Sequence, residues 1–263
     1  MIRVVFIVFI FISFPFFLKA QILNMQKSDL EEDTSKWKGN ITSSFGLYNR
    51  SAAADEPVEF FEFSLKSDFA FFFKKARLSL VNEINYLQIN DDPFLNTGFQ
   101  HIRFQWQVEK HIHPEAFTQF QYDNFRGLFP RILAGSGWRF IVAKKKSLSF
   151  FFGAGLMYEY ENWEIPDSPS KREVEFLKST NYLGLRWKIN PNLDLNMIAY
   201  YQTTYDQDQE LWRNRYSLDL NLNSKVSKRF KINTNFSLGH EDQPIVAITK
   251  TVYNFTTGLN YSF

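Results

Sequence analysis

Val252-Tyr253-Asn254-Phe255-Thr256-Thr257-Gly258-Leu259-Asn260-Tyr261-Ser262-Phe263 alternates without a break to the last residue of the chain. Tyr253, Phe255, Thr257, Leu259, Tyr261 and Phe263 fall on one face, and Val252, Asn254, Thr256, Gly258, Asn260 and Ser262 on the other. Side chains project to opposite faces of a strand with period two, so this segment is a strand with an oily face backed by a polar one. A soluble domain seldom ends so regular a pattern on an aromatic carboxylate. A membrane barrel commonly does.

The same alternation runs back through the chain. Ile102, Phe104, Trp106 and Val108 are interleaved with Arg103, Gln105 and Gln107, and Trp138, Phe140 and Val142 follow Gly135, Gly137 and Arg139 on the opposite face. Leu148 to Tyr158 sets Phe150, Phe152, Ala154 and Leu156 against Gly153, Gly155 and Glu159. Leu218, Leu220 and Leu222 oppose Arg215, Ser217, Asp219 and Asn221, and Phe230, Ile232, Phe236 and Leu238 oppose Lys231, Asn233, Asn235 and Ser237. From Trp37 onward the chain divides into about twelve such segments of roughly ten or more residues, the length of a tilted membrane strand. No amphipathic helix of useful length interrupts them.

Connections separate a barrel from a sandwich, because periodicity alone does not. Every second one is tight and mostly basic: Lys74-Lys75, Lys110 to Pro114, Lys144-Lys145-Lys146, Asn190-Pro191-Asn192 and Lys225 to Arg229. The others are longer and mostly acidic: Asn49 to Pro57, Asn90 to Thr97, Asn124 to Pro130, Asn162 to Arg172, Asp206 to Gln209 and His240 to Lys250. Short turns alternating with long loops are the habit of outer-membrane barrels. The expected fold is therefore all-β, a transmembrane antiparallel up-and-down β-barrel of about twelve strands with both termini periplasmic. A soluble periplasmic β-sandwich, with the oily faces packed sheet on sheet, is the alternative. Aromatics near strand ends (Trp37, Tyr48, Phe69 to Phe73, Tyr158, Tyr160, Trp163, Trp187, Tyr205, Trp212) suit the interfacial girdles of a barrel.

Composition agrees. Among 263 residues are 30 Phe and 12 Tyr, and aromatics make up 18%, yet mean hydropathy is −0.30. An oily outside around a polar inside reconciles those values. Cysteine is absent, which excludes disulfides and a lipoprotein anchor, and a net charge of +2 gives no reason to expect nucleic acid as a partner. Arg3 followed by the apolar run Val4 to Leu18 and by Ala20 has the layout of a cleaved secretory signal, too short to span a bilayer. The expected organisation is a signal peptide at 1–20, a short periplasmic lead-in at 21–35, and an outer-membrane barrel at 36–263.

Thr256, Gly258, Tyr261 and Phe263 resemble the C-terminal β-signal read by the barrel assembly machinery, which makes that machinery an expected partner beside outer-membrane lipid and lipopolysaccharide. Two further stretches carry a family resemblance. Gln21-Ile22-Leu23-Asn24 with Trp37-Lys38-Gly39, and Asp123-Asn124-Phe125-Arg126-Gly127-Leu128 with Arg131, Gly135, Gly137 and Arg139, resemble the domain of unknown function four-eight-one (DUF481) family. That family includes salt-induced outer-membrane proteins. The resemblance implies a barrel in the outer membrane and a part in osmotic or salt adaptation, and it brings no established catalytic or ligand site.

Asp123, Arg126, Arg131 and Arg139 form the polar set of most interest. A carboxylate beside several guanidiniums can make charge-assisted bonds that fix a loop over a barrel mouth. The expectation is a structural ion-pair network; an anion-selective constriction is its functional counterpart. Further lumen candidates are Glu62, Lys66, Asp68, Arg77, Glu83, Arg103, Glu109, Glu159, Arg186, Lys188, Asp194, Arg213, Arg215, Asp219 and Lys231. The acidic residues Asp91, Asp92, Glu159, Glu161, Glu164, Asp206, Asp208, Glu210, Glu241 and Asp242 read as hydrated outer loops, with cation bridging to lipopolysaccharide as the functional alternative. His111 and His113 fall in an expected turn, and His101 and His240 near outer strand ends, with no nucleophile motif or third ligand beside them. No catalytic, cofactor or metal site is expected. The expected function is a narrow pore or a structural envelope protein, and an outer-membrane lipid-acting hydrolase is the alternative from another class.

Gly258, Tyr261 and Phe263 are thus expected to act in assembly and closure. Replacing Phe263 with Asp should lower the fraction of chain reaching the heat-modifiable, membrane-inserted form on gel electrophoresis; wild-type yield would refute the assignment.

Overall fold

The computed structural model describes residues 36–50, 57–107 and 111–261. The expected signal peptide, the lead-in, the lumen candidate Glu109 and Phe263 lie outside them. Twelve strands follow in chain order: β1 (Trp37–Arg50), β2 (Val58–Phe73), β3 (Ala76–Ile89), β4 (Asp92–Trp106), β5 (Ile112–Asp123), β6 (Leu128–Lys144), β7 (Leu148–Glu164), β8 (Lys171–Asn190), β9 (Leu193–Asp206), β10 (Leu211–Lys225), β11 (Phe230–Glu241) and β12 (Thr251–Tyr261). Each pairs antiparallel with the next in one up-and-down sheet. A single 3-10 turn, Asn124–Arg126, joins β5 to β6 and stops at Gly127, whose φ of 74° suits glycine. Among the described residues no helix is long and apolar enough to cross a membrane.

The faces divide as the alternation requires. Phe45, Leu156, Leu177, Tyr253 and Phe255 are exposed on the outer face, whereas Arg103, Glu115, Glu159 and Lys178 are buried on the inner one. Such an inversion leaves the sheet without a conventional core, and a water-soluble protein would pay heavily for so much exposed apolar surface. Lipid is the solvent that fits it. Trp37, Trp187, Tyr205 and Trp212 are exposed near strand ends, as a girdle needs, but Trp163 is 1% exposed and points inward.

The sheet curls far enough that opposite walls touch. Tyr182 on β8 donates to Glu115 on β5 at 2.7 Å, and Arg126 beside β5 lies 3.8 Å from Glu241 on β11. Among the described residues no ladder joins β1 to β12, and β1 is exposed along both faces. In a bilayer these two edges have to meet, because unpaired backbone groups in hydrocarbon cost several kcal/mol each.

Two expectations about connections need correction. The link between β3 and β4 is only residues 90–91, with Asn90 at φ 54°, because Leu95 and Thr97 continue the ladder opposite Leu87 and Asn85 past a bulge at Leu87/Gln88. Longer connections remain at 51–57, 165–170 and 242–250, so the short–long alternation is real but incomplete. His113 and Pro114 belong to β5 and not to a turn.

Inside, glycine makes room. Gly137 on β6 lies directly opposite Gly155 on β7, and a Cβ on Gly155 would stand 2.4 Å from the Ser136 carbonyl oxygen. Backbone of a paired strand has little freedom to retreat. Gly155→Val should therefore destabilise the folded barrel by about 1–3 kcal/mol through overpacking, read as a lower urea midpoint at unchanged slope; an unchanged midpoint would show that the walls yield.

Candidate functional site

Two charged tiers stand in the lumen between the turn end and the loop end. The lower is built on Glu115 of β5. Its carboxylate accepts from Gln105 at 3.1 Å and from the Tyr182 hydroxyl at 2.7 Å, while Arg103 and Arg139 stand 3.6 Å away. Arg139 also donates to the Tyr182 hydroxyl at 2.9 Å and lies over the Phe151 ring at 4.4 Å. Period two puts all of these on inner faces, and Tyr182 has the reach to connect β8 with β5 and β6. On the turn side Phe151 and Ile198 pack against Tyr182, with Ile141 and Tyr200 around them.

The upper tier is a larger ion cluster. Glu159, with 0% of its surface exposed, accepts from Arg131 Nε at 3.0 Å, from Arg215 at 3.3 Å, and from Lys178. Glu161 pairs with Arg131 at 3.1 Å and Arg215 at 2.8 Å, and accepts from the Trp163 indole at 2.9 Å. Arg215 continues to Glu241 at 3.2 Å, which Arg126 approaches at 3.8 Å. Four cations thus enclose three carboxylates contributed by β7 and β11. Buried charges persist only when paired in this way.

Over that cluster the connection 242–250 folds inward. Ile245 and Val246 are buried against Leu128, Trp163 and Phe176, with Ile165, Val174 and Ile248 around them. Arg213 donates to the carbonyls of Gln243 at 2.6 Å and Pro244 at 3.3 Å, and Arg172 to that of Ile245 at 3.1 Å. Asp242 accepts from the Asn214 backbone and side chain at 2.8 and 2.7 Å. Beneath this cover the lumen keeps a cavity of about 1170 Å³, lined by His101, Arg103, Phe117, Gln119, Tyr182 and Gln202 among others.

One stretch of wall is built differently. On β10 and β11, Asn221 donates to Asn235, Asn235 to Asn233, Asn233 to Asn223, and Asn223 back to Asn221. This closed ring of amides engages one donor and one acceptor of each residue, and Asn223 donates as well to Asp194 at 3.1 Å. It is a neutral, wettable surface facing the charged one.

The four residues singled out from sequence do not form one network. Asp123 caps the 3-10 turn by accepting from the Arg126 backbone at 3.2 Å, Arg126 reaches Glu241, Arg131 joins the upper cluster and Arg139 the lower. They separate because Arg131 and Arg139 lie eight residues apart on β6, about 26 Å at the usual rise of a strand. Glu161, Asp206 and Glu241, read as hydrated loop acids, are instead inner-face residues of strands that run further than expected, while Glu159 faces inward as a lumen candidate should. His101 sits deep in β4, 3% exposed, and not near an outer end. Glu115, Lys178 and Tyr182 were not singled out at all. Their place on inner faces was the available signal.

A twelve-stranded up-and-down β-sheet with an apolar outside and a charged, partly hollow inside defines the barrel class. Residues 60–263 match the family described as "Protein of unknown function, DUF481", and the chain belongs to that family. Curated protein sequences give no match. Among solved structures, the chain is similar to the NanC porin (9% identity, 84% of this chain and 99% of that one, TM-score 0.43). It is also similar to the translocator domain of the autotransporter NalP from Neisseria meningitidis (9% identity, 90% and 92%, TM-score 0.45). A third is OmpT, an outer membrane protein of Vibrio cholerae (10% identity, 88% and 98%, TM-score 0.26).

Removing the central carboxylate tests the upper cluster. Glu159→Ala leaves Arg131, Lys178 and Arg215 short of their shared partner and should cost about 3–5 kcal/mol of stability, read from urea unfolding in detergent. A loss below 1 kcal/mol would mean that water already reaches the cluster.

Proposed function

We propose that this protein is a non-catalytic outer-membrane pore of narrow bore, with the 242–250 connection folded into its outer mouth. The observation that carries this reading is the cavity beneath the 242–250 connection. A purely structural barrel gains nothing by keeping such a volume, since a filled interior packs better and excludes water. The cavity walls combine paired charges with uncharged amides, a lining over which a small polar solute can exchange partners as it moves.

We orient the barrel with the turn end, and so both termini, at the periplasm. Basic turns then stay inside and the longer loops face outward. Lipid and lipopolysaccharide contact the aromatic outer face, and the barrel assembly machinery engages the last strand. The role in osmotic or salt adaptation rests on the family resemblance alone. Against a lipid-acting hydrolase stands the setting of the histidines. His101 Nδ1 bonds to Gln119 at 3.2 Å and His240 Nδ1 to Thr251 at 2.7 Å. Neither pair has the orienting carboxylate that activates a hydroxyl nucleophile.

The cover should set the conductance. In planar bilayers the wild-type protein is expected to show small, discrete steps. The double variant Ile245→Asp and Val246→Asp, which drives the loop out of its apolar seat, is expected to show larger or longer ones. Silence from both proteins, with heat-modifiable folding intact, would overturn the pore.

A further inference from the structure

We propose that the lumen carries a binding site for a small hydroxylated carboxylate, a sugar acid, between His101 and Arg103 of β4 and Tyr200 and Gln202 of β9. The proposal rests on the pore reading, in that the site lies in the space through which a solute would pass. It does not depend on the gating of the mouth.

Placement comes first. Arg103 Cζ stands 5.2 Å from the centre of the Tyr182 ring, whose centre is 5.4 Å from that of Tyr200. Arg103 on β4 and Tyr200 on β9 therefore both stand beside Tyr182, from strands five apart in the sheet. β4 runs toward the turn end and β9 toward the loop end, so His101 and Gln202 each lie one pleat nearer the loop end. All four line the same cavity. Two polar pairs, one above the other, look across it.

Each of the four carries a buried polar atom without a protein partner: Arg103 Nε, His101 Nε2, Tyr200 Oη and Gln202 Oε1. His101 and Arg103 are each only 3% exposed, so bulk solvent is a poor substitute for a partner. Four such atoms, on residues that line one hollow, leave hydrogen bonds for something else to make.

The polarity of His101 Nε2 follows from its neighbours. Arg131 has no acceptor, so its 3.0 Å bond to Gln121 fixes Oε1 as the atom that accepts. Gln119 Nε2 donates to that same oxygen at 3.2 Å, which turns Gln119 Oε1 toward His101 Nδ1. His101 Nδ1 therefore carries the proton, and Nε2 of the neutral ring is an acceptor. Gln202 Oε1 accepts, Arg103 Nε donates, and the Tyr200 hydroxyl does either.

Two acceptors require donors on the ligand, which for a small neutral group means hydroxyls. The Arg103 donor is cationic. Its link to Glu115 is a loose 3.6 Å, since that carboxylate already accepts from Gln105 and Tyr182, and so it retains attraction for an anion. Phe117 stands under Arg103 at 5.3 Å and stacks with His101 at 5.9 Å, and Phe99 also stacks with His101 at 6.2 Å, so aromatic rings hold both polar groups in place beside the hollow. A hydroxylated monocarboxylate meets every one of these demands. A plain sugar lacks the charge, and a simple fatty or acetic acid lacks the hydroxyls.

Calorimetric titration of the purified, detergent-held protein with glucuronate, glucose and acetate tests this. Glucuronate is expected to bind, with glucose and acetate at least ten-fold weaker. The double variant Tyr200→Phe and Gln202→Leu, with His101→Phe as a second variant, should weaken glucuronate at least ten-fold while keeping heat-modifiable folding. Asn233→Ala, in the amide ring, should leave binding unchanged. No glucuronate binding by the wild type, equal affinity for glucose or acetate, or undiminished binding by the folded variants would overturn the site. Conductance recorded without glucuronate separates the two proposals: steps without binding overturn the site alone, and binding without steps overturns the pore alone.

Discussion

Glu159 occupies the position on which the interior depends. Its carboxylate has no contact with solvent, so its charge has to be answered by side chains, and three other strands supply them: Arg131 from β6, Lys178 from β8 and Arg215 from β10. Neighbouring strands are already joined by backbone ladders. Arg215 is different, because it comes from three strands away and also holds Glu161 and Glu241. The requirement to neutralise a desolvated carboxylate thus sets how tightly the sheet curls, which backbone pairing leaves free. A buried pair of this kind is weak evidence for net stability, yet breaking one is expensive, and that asymmetry makes it a strict constraint on geometry.

The lower tier obeys the same rule with other means. Glu115 is satisfied largely by a phenol and an amide, so the arginines nearby are held at arm's length and partly by aromatic faces: Arg139 over Phe151, Arg103 over Phe117 and Tyr182. Guanidinium tolerates such a setting because it is planar and weakly hydrated, whereas an ammonium would not. The two tiers consequently differ in kind. The upper one is saturated with ionic contacts, and the lower one keeps donor capacity facing the hollow between them. The Gly137–Gly155 contact, which also lines that hollow, removes the side chains that would otherwise occupy it.

Much of this was legible in the sequence at the level of faces. Alternation assigned Arg103, Glu159, Arg213 and Arg215 to the inside, and the oily sets of β6, β7, β10 and β11 to the outside. Height along the barrel was not legible. Period two says which way a side chain points but not how far a strand extends, and the strands run 11 to 20 residues, past the length that spans a bilayer. For that reason His101 was read near an outer end, and Glu161, Asp206 and Glu241 as loop acids. The partners of Arg131 and Arg139 lie on different levels for the same reason, so sequence proximity merged two clusters into one. Tyr182 escaped notice because a phenol on a barrel strand reads as one more aromatic until its hydroxyl is seen crossing the lumen.

The 242–250 connection shows how the mouth is tied to the interior. Pro244-Ile245-Val246-Ala247-Ile248 is an oily run in what should be a hydrated loop, and it makes sense only folded inward onto Trp163 and Phe176. Trp163 in turn donates to Glu161, a member of the upper cluster, and Glu241, the last residue of β11 before the loop, belongs to that cluster as well. Arg213 holds the loop carbonyls with one part of its guanidinium and Asp206 with another. The cover is thus tied to the ion cluster at three points, through Trp163 to Glu161, through the chain itself to Glu241, and beside them through Arg213 to Asp206.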